Sequence, residues 1–429
     1  MNNASLELGG TNWAEKDGNI LGYSVGDTSG KYSPQEFTFA RGSNLSATRI
    51  DRAGLIVKGR ENVLLQSNGF DTTWALANTS VTSGQSGYDG SNNAWLLEVT
   101  ATGSYRRVYQ SGINLDVNTF SIYAKANTSN FLFLLNNKSS TDAVAWFDLS
   151  NGSIGGVNAA IDTKIESVGN GWYRCSITSI FADNQYFVSV ADGVSDITGT
   201  AGASLYIQDT QLEQGLAASP YIETTTTTAQ AGVLENTPRL NYTTGVANPY
   251  LLLEPSRTNL VEQSELFNVA TSWIASGRPA VQTNVIVSPE GAQNGSRLAY
   301  GVGNVLRYSP ELTFTNGYSY SIFVKKDVGR YVTIYAAFFT TSAAIGFDLD
   351  EGTCQAGGVI EPYGDEWYRI SVSNSVAGDA DKSGYFYLYS TSVLGATSST
   401  SGNKLYVYGA QIEDGTYPTS YIPTYSVSA

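Results

Sequence analysis

The residues whose types and spacing could do chemistry here are aromatics and carboxylates, since the usual catalytic partners are missing. The chain has 429 residues, no histidine, and two cysteines, Cys175 and Cys354. Ser-His-Asp and Cys-His arrangements and His-ligated zinc are therefore excluded. Two distant cysteines build no thiolate cage, and no glycine-rich loop followed by Lys-Ser/Thr offers a phosphate cradle. Glycoside hydrolysis needs only two carboxylates at a suitable separation, but among 38 acidic residues no spacing singles out a pair. What remains is recognition of sugars, whose apolar ring faces stack on exposed aromatics while Asn, Gln, Asp and Arg bond their hydroxyls. Trp95, Trp146 and the row Tyr385, Tyr387 and Tyr389 are the stacking candidates.

They stand out because the chain repeats itself. NVLLQSNGFDTTW from Asn62 returns as NLVEQSELFNVATSW from Asn259. FSIYAKA from Phe120 and FDLSNG from Phe147 return 200 residues later as YSIFVKK and FDLDEG. WYRCSIT from Trp172 returns 195 residues later as WYRISVS, and LYIQDTQLEQG from Leu205 returns 200 later as LYVYGAQIEDG. Order and spacing hold over five blocks, so two copies of one domain are expected, each within the usual single-domain size. An aromatic shared by both copies is most simply packing, as for Trp74 with Trp273 and Trp172 with Trp367. An aromatic found in one copy is free to bind. Trp146 is replaced by Gly346, Trp95 aligns near Arg297, and the tyrosine row lies opposite Tyr186, Val188 and Val190. Those partly aliphatic counterparts also fit a row facing a sheet interior. Cys175 matches Ile370 and reads as a small core hydrophobe, with no disulfide to Cys354 expected.

The elements that must position these residues are strands. Phe120, Ile122 and Ala124 alternate with Ser121, Tyr123 and Lys125, and the second copy alternates in step, which gives each strand one buried and one wetter face. Turn-rich stretches such as SGQSGYDGSNN and SNGSIGG separate the runs, and no segment shows a long helical pattern. The fold class expected is all-β: two tandem antiparallel β-sandwiches of jelly-roll type with short hairpin connectors. Residues 1–61 form an N-terminal segment with a hairpin, 62–223 the first sandwich, 224–258 a Thr-rich linker and connector, and 259–425 the second sandwich. A calcium site built from carboxylates and carbonyls would draw on Asp89 and Glu290 in matching turns and on Glu213 and Glu413 on the last strands. The plainer reading of such carboxylates is local capping, so no cofactor is expected.

Net charge is −14, from 24 basic and 38 acidic residues, which suits a soluble chain and disfavours tracking a phosphate backbone. The opening MNNASLELGG has no basic, then apolar, leader pattern, and no apolar run reaches membrane-spanning length. Neither a signal peptide, nor nucleic acid, nor membrane insertion is expected.

Several strings resemble a module of bacteriophage virion proteins. ATRIDRAGLI, ENTPRLNY, YLLLEPSRTNL and QSELF are similar to a connector that leads, in that family, into a carbohydrate-binding-module-like sandwich. That sandwich carries a WYR-like strand and closes on a QLE-x-G strand followed by Tyr-Ile. Here these are Gln211–Gly215 with Tyr221-Ile222, and Gln411–Gly415 with Tyr421-Ile422. The resemblance spans about residues 37–425. In one respect the chain departs from it: the ATR half and the N-x-PR half of the connector are separated by the whole first sandwich. The resemblance implies a non-enzymatic virion protein, a head or tail fibre or capsid-decorating appendage, made in the host cytoplasm. It further implies attachment to other virion proteins through the N-terminal segment, a homotrimer, and adhesion to host-surface glycans. A spacer without ligand is the alternative. A polysaccharide-cleaving tailspike comes third, since the long solenoid of short repeats expected of one is absent.

Overall fold

The computed structural model describes residues 47–426 except 105, 138–141, 181–184, 236, 244–247, 309, 311, 315–316, 339–342 and 375–381, together with three N-terminal strands. These, Trp13–Lys16, Asn19–Gly26 and Tyr32–Gln35, form an antiparallel meander. The rest of the expected N-terminal attachment segment up to residue 46 lies outside the described residues. Every regular element described is a strand.

The chain divides into two compact units, and they are not simply consecutive. One is Arg60–Ala231; the other joins Met1–Gly59 to Gly232–Ala429. The first sandwich is thus an insertion within the unit that carries the second. Its ends meet in a ladder, with Arg60 opposite Ala231 and Asn62 opposite Ala229. On the other side of the junction, a Cβ on Gly232 would lie 2.2 Å from the Lys58 carbonyl oxygen, at φ +87°, so only glycine fits. The unit boundaries therefore fall at 59/60 and 231/232, where the sequence spacing suggested 61/62 and 223/224. Thr224 and Thr225, read as linker, are bonded into the first sandwich: Ser67 N–H donates to Thr224 Oγ1, and Gln66 N–H to the Thr225 carbonyl.

Each unit contains two antiparallel sheets packed face to face. In the first, one sheet runs Ser153–Asn158, Ala143–Asp148, Phe131–Asn137, Gln185–Ala191, Arg107–Ser111, Ala75–Ala77. The other runs Asp162–Gly169, Trp172–Ser179, Asn118–Ala126, Ser204–Gln214, Ala94–Val99, Thr79–Gln85. Between them lie Trp74, Phe120, Ile122, Leu132, Leu134, Phe147 and Cys175. The second sandwich repeats the order, with Trp273, Tyr320, Ile322, Val332, Ile334, Phe347 and Ile370 inside. Alternation along each strand places these side chains inward.

The repeated motifs prove to be fastenings. Asn62 donates to the Thr210 and Ile222 carbonyls and accepts from the Leu64 and Leu212 amides. Asn259 does the same with Ala410, Ile422, Val261 and Ile412. Gln211 and Gln411 each accept the amide of the Ile in the Tyr-Ile pair at 2.7 Å. One asparagine and one glutamine thus tie the opening segment of each sandwich to its closing strand, and so satisfy buried backbone groups.

The two halves of the connector come together in the discontinuous unit. Thr48–Ile50 pairs with Ile56–Lys58 as a hairpin. Ile50 N–H donates to Asn241 Oδ1 at 2.6 Å, Tyr242 N–H to the Ile50 carbonyl, and Arg49 to the Leu240 carbonyl. The interruption of the ATR and N-x-PR halves in sequence is undone in space.

Candidate functional site

Each sandwich has two outer faces, and the one-copy aromatics are distributed between the outside and the core. The tyrosine row is on the outside. Leu388 pairs with Ile334, and Val188 pairs with Leu134, so Tyr385, Tyr387 and Tyr389 are the counterparts of Gln185, Phe187 and Ser189. The pairing opposite Tyr186, Val188 and Val190 was one residue out of step, and in a strand one residue reverses the face. Phe386 and Leu388 are the inward members.

The row forms a half-buried aromatic face. Tyr387 and Tyr389 stack with centroids 6.2 Å apart and planes 12° from parallel, and Tyr385 meets Tyr387 edge-on at 6.5 Å. Tyr335 adds a fourth ring 5.7 Å from Tyr387. The Arg307 guanidinium lies 4.6 Å from the Tyr385 ring centroid and 5.7 Å from that of Tyr387, which holds both rings by cation–π attraction. Burial, then the neighbouring phenols, pushes Tyr389 above the usual tyrosine range, so it stays a neutral donor and acceptor. Tyr335 and Arg307 went unmarked in the sequence because nothing local shows which strands adjoin.

Trp146 also faces outward, but it is covered. It is 8% exposed, lies 4.7 Å from Phe133, and donates its indole N–H to the Asp196 carbonyl at 2.7 Å. With Phe133, Leu135, Val144, Phe187 and Ala191 it forms a second hydrophobic cluster on the outside of the sheet. Arg107 lies over Phe187 at 4.3 Å. Trp95 is inside: it belongs to the main core and donates to the Asn68 carbonyl. Alternation puts it in line with Leu97 and Val99, so it offers no stacking surface.

The carboxylates proposed as metal ligands are engaged singly. Glu213 accepts the Ser219 amide and the Gln211 side chain, and Glu413 accepts the Thr419 amide at 2.9 Å. Both belong to the closing fastening. Asp89 sits in an exposed turn, where hydrogen bonds from Ser91 hold its carboxyl below the usual range. Glu290 is buried and paired with Lys58 at 2.8 Å. Among the described residues no three His, Cys, Asp or Glu side chains gather as a metal cage.

Among the described residues of the connector, Lys58 is the most deeply buried charge. Its ammonium also contacts Glu265 at 3.1 Å and Tyr425 Oη at 2.6 Å. The Tyr408 hydroxyl lies 3.0 Å from Glu265 and 2.6 Å from Glu290, with one proton to donate between them. Burial pulls Lys58 down, but the Glu265 and Glu290 charges outweigh it and hold the ammonium above its usual range. Burial in turn pushes Glu265 up. This cluster fastens the hairpin, whose Ile56 packs among Phe323, Trp367, Tyr408 and Tyr421.

No family model matches the chain, and neither does any curated protein. Solved structures give distant similarities. The tandem CBM22-1–CBM22-2 domain of Paenibacillus barcinonensis Xyn10C is 10% identical, covers 88% of this chain and all of its own, and has a TM-score of 0.25. An anti-sigma factor domain-containing protein from Clostridium clariflavum is 10% identical over 86% of this chain and 99% of its own, at 0.18. A variant of oxalate decarboxylase from Bacillus subtilis is 8% identical over 90% and 79%, at 0.13. At these scores the likenesses add nothing to the strand pairings, which by themselves make the chain a tandem of β-sandwiches.

Proposed function

We propose that this chain is a non-enzymatic structural protein of a bacteriophage virion, a fibre or capsid-decorating appendage, that holds host-surface glycans on the tyrosine face of its second sandwich. The observation that carries the glycan reading is the set Tyr335, Tyr385, Tyr387 and Tyr389, half-buried and outward-facing, with Tyr385 and Tyr387 held by Arg307. Tyr387 and Tyr389 present near-parallel rings 6.2 Å apart, along which the sugar rings of one chain can lie. Arg307 and four phenols supply hydroxyl partners. The virion reading rests on the connector and closing motifs. A trimer would multiply weak contacts into useful avidity.

The closed outer face around Trp146 and Phe187 favours a second role for the first sandwich, that of spacer. The test is a glycan array with the intact protein, together with Tyr387→Ala and mass photometry. Selective binding lost in the variant, from a trimer whose unfolding temperature is unchanged, is the expected result. A clean oligomer that binds no glycan at high concentration leaves only the spacer role. Antibodies to the chain that fail to label purified particles would remove the virion assignment.

A further inference from the structure

We infer that a cleft in the discontinuous unit is a second saccharide site, for a short neutral oligosaccharide, separate from the tyrosine face and sharing with it only the ligand class. The cleft has a volume of about 380 Å³, within the range of small-molecule sites. Its walls come from both halves of the connector, with Arg49 and Ile50 before the inserted sandwich and Asn241, Tyr250 and Glu254 after it. Val359, Glu361 and Arg369 supply the sheet side, and Tyr417 the closing loop.

Two rings are held at its rim yet left open. Tyr250 is 48% and Tyr417 49% exposed. Tyr250 Oη accepts from Asn241 Nδ2 at 2.5 Å, while Asn241 Oδ1 accepts the Ile50 amide. Tyr417 lies 5.7 Å from the Arg257 guanidinium. Rings already fixed lose little freedom when a ligand covers them, so their apolar area counts toward binding. Val359, 52% exposed, extends the apolar wall.

The charges indicate a neutral ligand. Arg49 and Arg369 are balanced by Glu254 and Glu361 along the same walls, so an anionic or cationic ligand meets a like charge wherever it meets an opposite one. Hydroxyls both donate and accept, and suit such a mixture. Arg369 is almost fully buried and donates to Ser321 at 2.9 Å. Glu254 is fixed by Arg239 at 2.8 Å and by the Ser420 amide. Arg369 and Glu254 are therefore fixed before any ligand arrives.

The test is calorimetric titration of the full-length protein with cellobiose, maltotriose and diacetylchitobiose, and with digalacturonate as the acidic probe. At least one neutral sugar is expected to bind. The double variant Tyr250→Ala, Tyr417→Ala should weaken it at least 10-fold, whereas Tyr387→Ala should not. If the double variant loses the fold, Val359→Arg blocks the cleft from its exposed wall and gives the same reading. Binding of digalacturonate alone, or neutral binding that both cleft variants leave intact, overturns the cleft. Loss in Tyr387→Ala alone keeps the tyrosine face and removes the cleft; loss in the cleft variants alone does the reverse.

Discussion

The two sandwiches share a core and differ on both outer faces, and the difference is in how each face is covered. On one sheet, the second sandwich buries Phe323, Trp367, Tyr408 and Tyr421 beneath Ile56 of the connector hairpin, with Lys58 paired to Glu265 and Glu290. The first sandwich has Tyr123, Trp172 and Tyr221 in the corresponding places and covers them itself. Tyr88 stacks on Tyr123 with centroids 3.9 Å apart and planes 7° from parallel, and donates to Asp209 at 2.9 Å. Where Tyr88 turns in, the matching turn of the second copy has Pro289, whose carbonyl instead accepts the Ile56 amide. On the other sheet the roles reverse: the first sandwich closes its face with Trp146 and Phe187, and the second leaves tyrosines open. Duplication thus kept the interior, which packing constrains, and let the exteriors part.

The largest expected effect breaks the hairpin's hold. Lys58→Ala leaves two carboxylates buried without their cation, which should destabilise the discontinuous unit by about 4 kcal/mol and leave the first sandwich unchanged. Calorimetry should show two transitions with one shifted; a shift of both, or of neither, would refute that division. Next comes Phe187→Ala, expected to cost the first sandwich about 3 kcal/mol by opening a cavity in its outer cluster. Its counterpart Tyr387→Ala should change stability by less than about 1 kcal/mol. Equal denaturant midpoint shifts would mean the two faces are built alike.

The two sandwiches should also differ in their response to pH. Burial raises the Asp209 carboxyl to about 6, and hydrogen bonds from Tyr88 and Tyr221 only partly oppose this. A raised folded-state value means the native first sandwich binds the proton more tightly than the unfolded chain does. Its stability should therefore fall as pH rises from about 4 to 6 and level off above, by roughly 1–3 kcal/mol. Asp209→Asn should abolish the slope. The second sandwich has Gly409 at this position, and its own pH dependence, to which buried Glu265 contributes, should be unchanged in Asp209→Asn; a change there would assign the titration elsewhere.

The sequence by itself determined the strands, the duplication and the sandwich class, because side-chain alternation and the order of repeated blocks are local properties. It also marked Asn62, Gln211, Glu213 and their partners 197 to 200 residues on, although their work as fastenings needed the hydrogen bonds to be visible. It named the tyrosine row but gave it the wrong counterparts, because two short repeats can be aligned one residue apart with little to choose between them. Only strand pairing fixes the register, and register decides which face a side chain takes. It misread Trp95 for a related reason, since a tryptophan unique to one copy still packs inward if its strand position points there. The insertion of one sandwich into the other's connector was beyond local reading altogether. Hydrogen bonds between Ile50 and Asn241, 191 residues apart, and the burial of Lys58 against Glu265 and Glu290 exist only once the chain has folded back on itself.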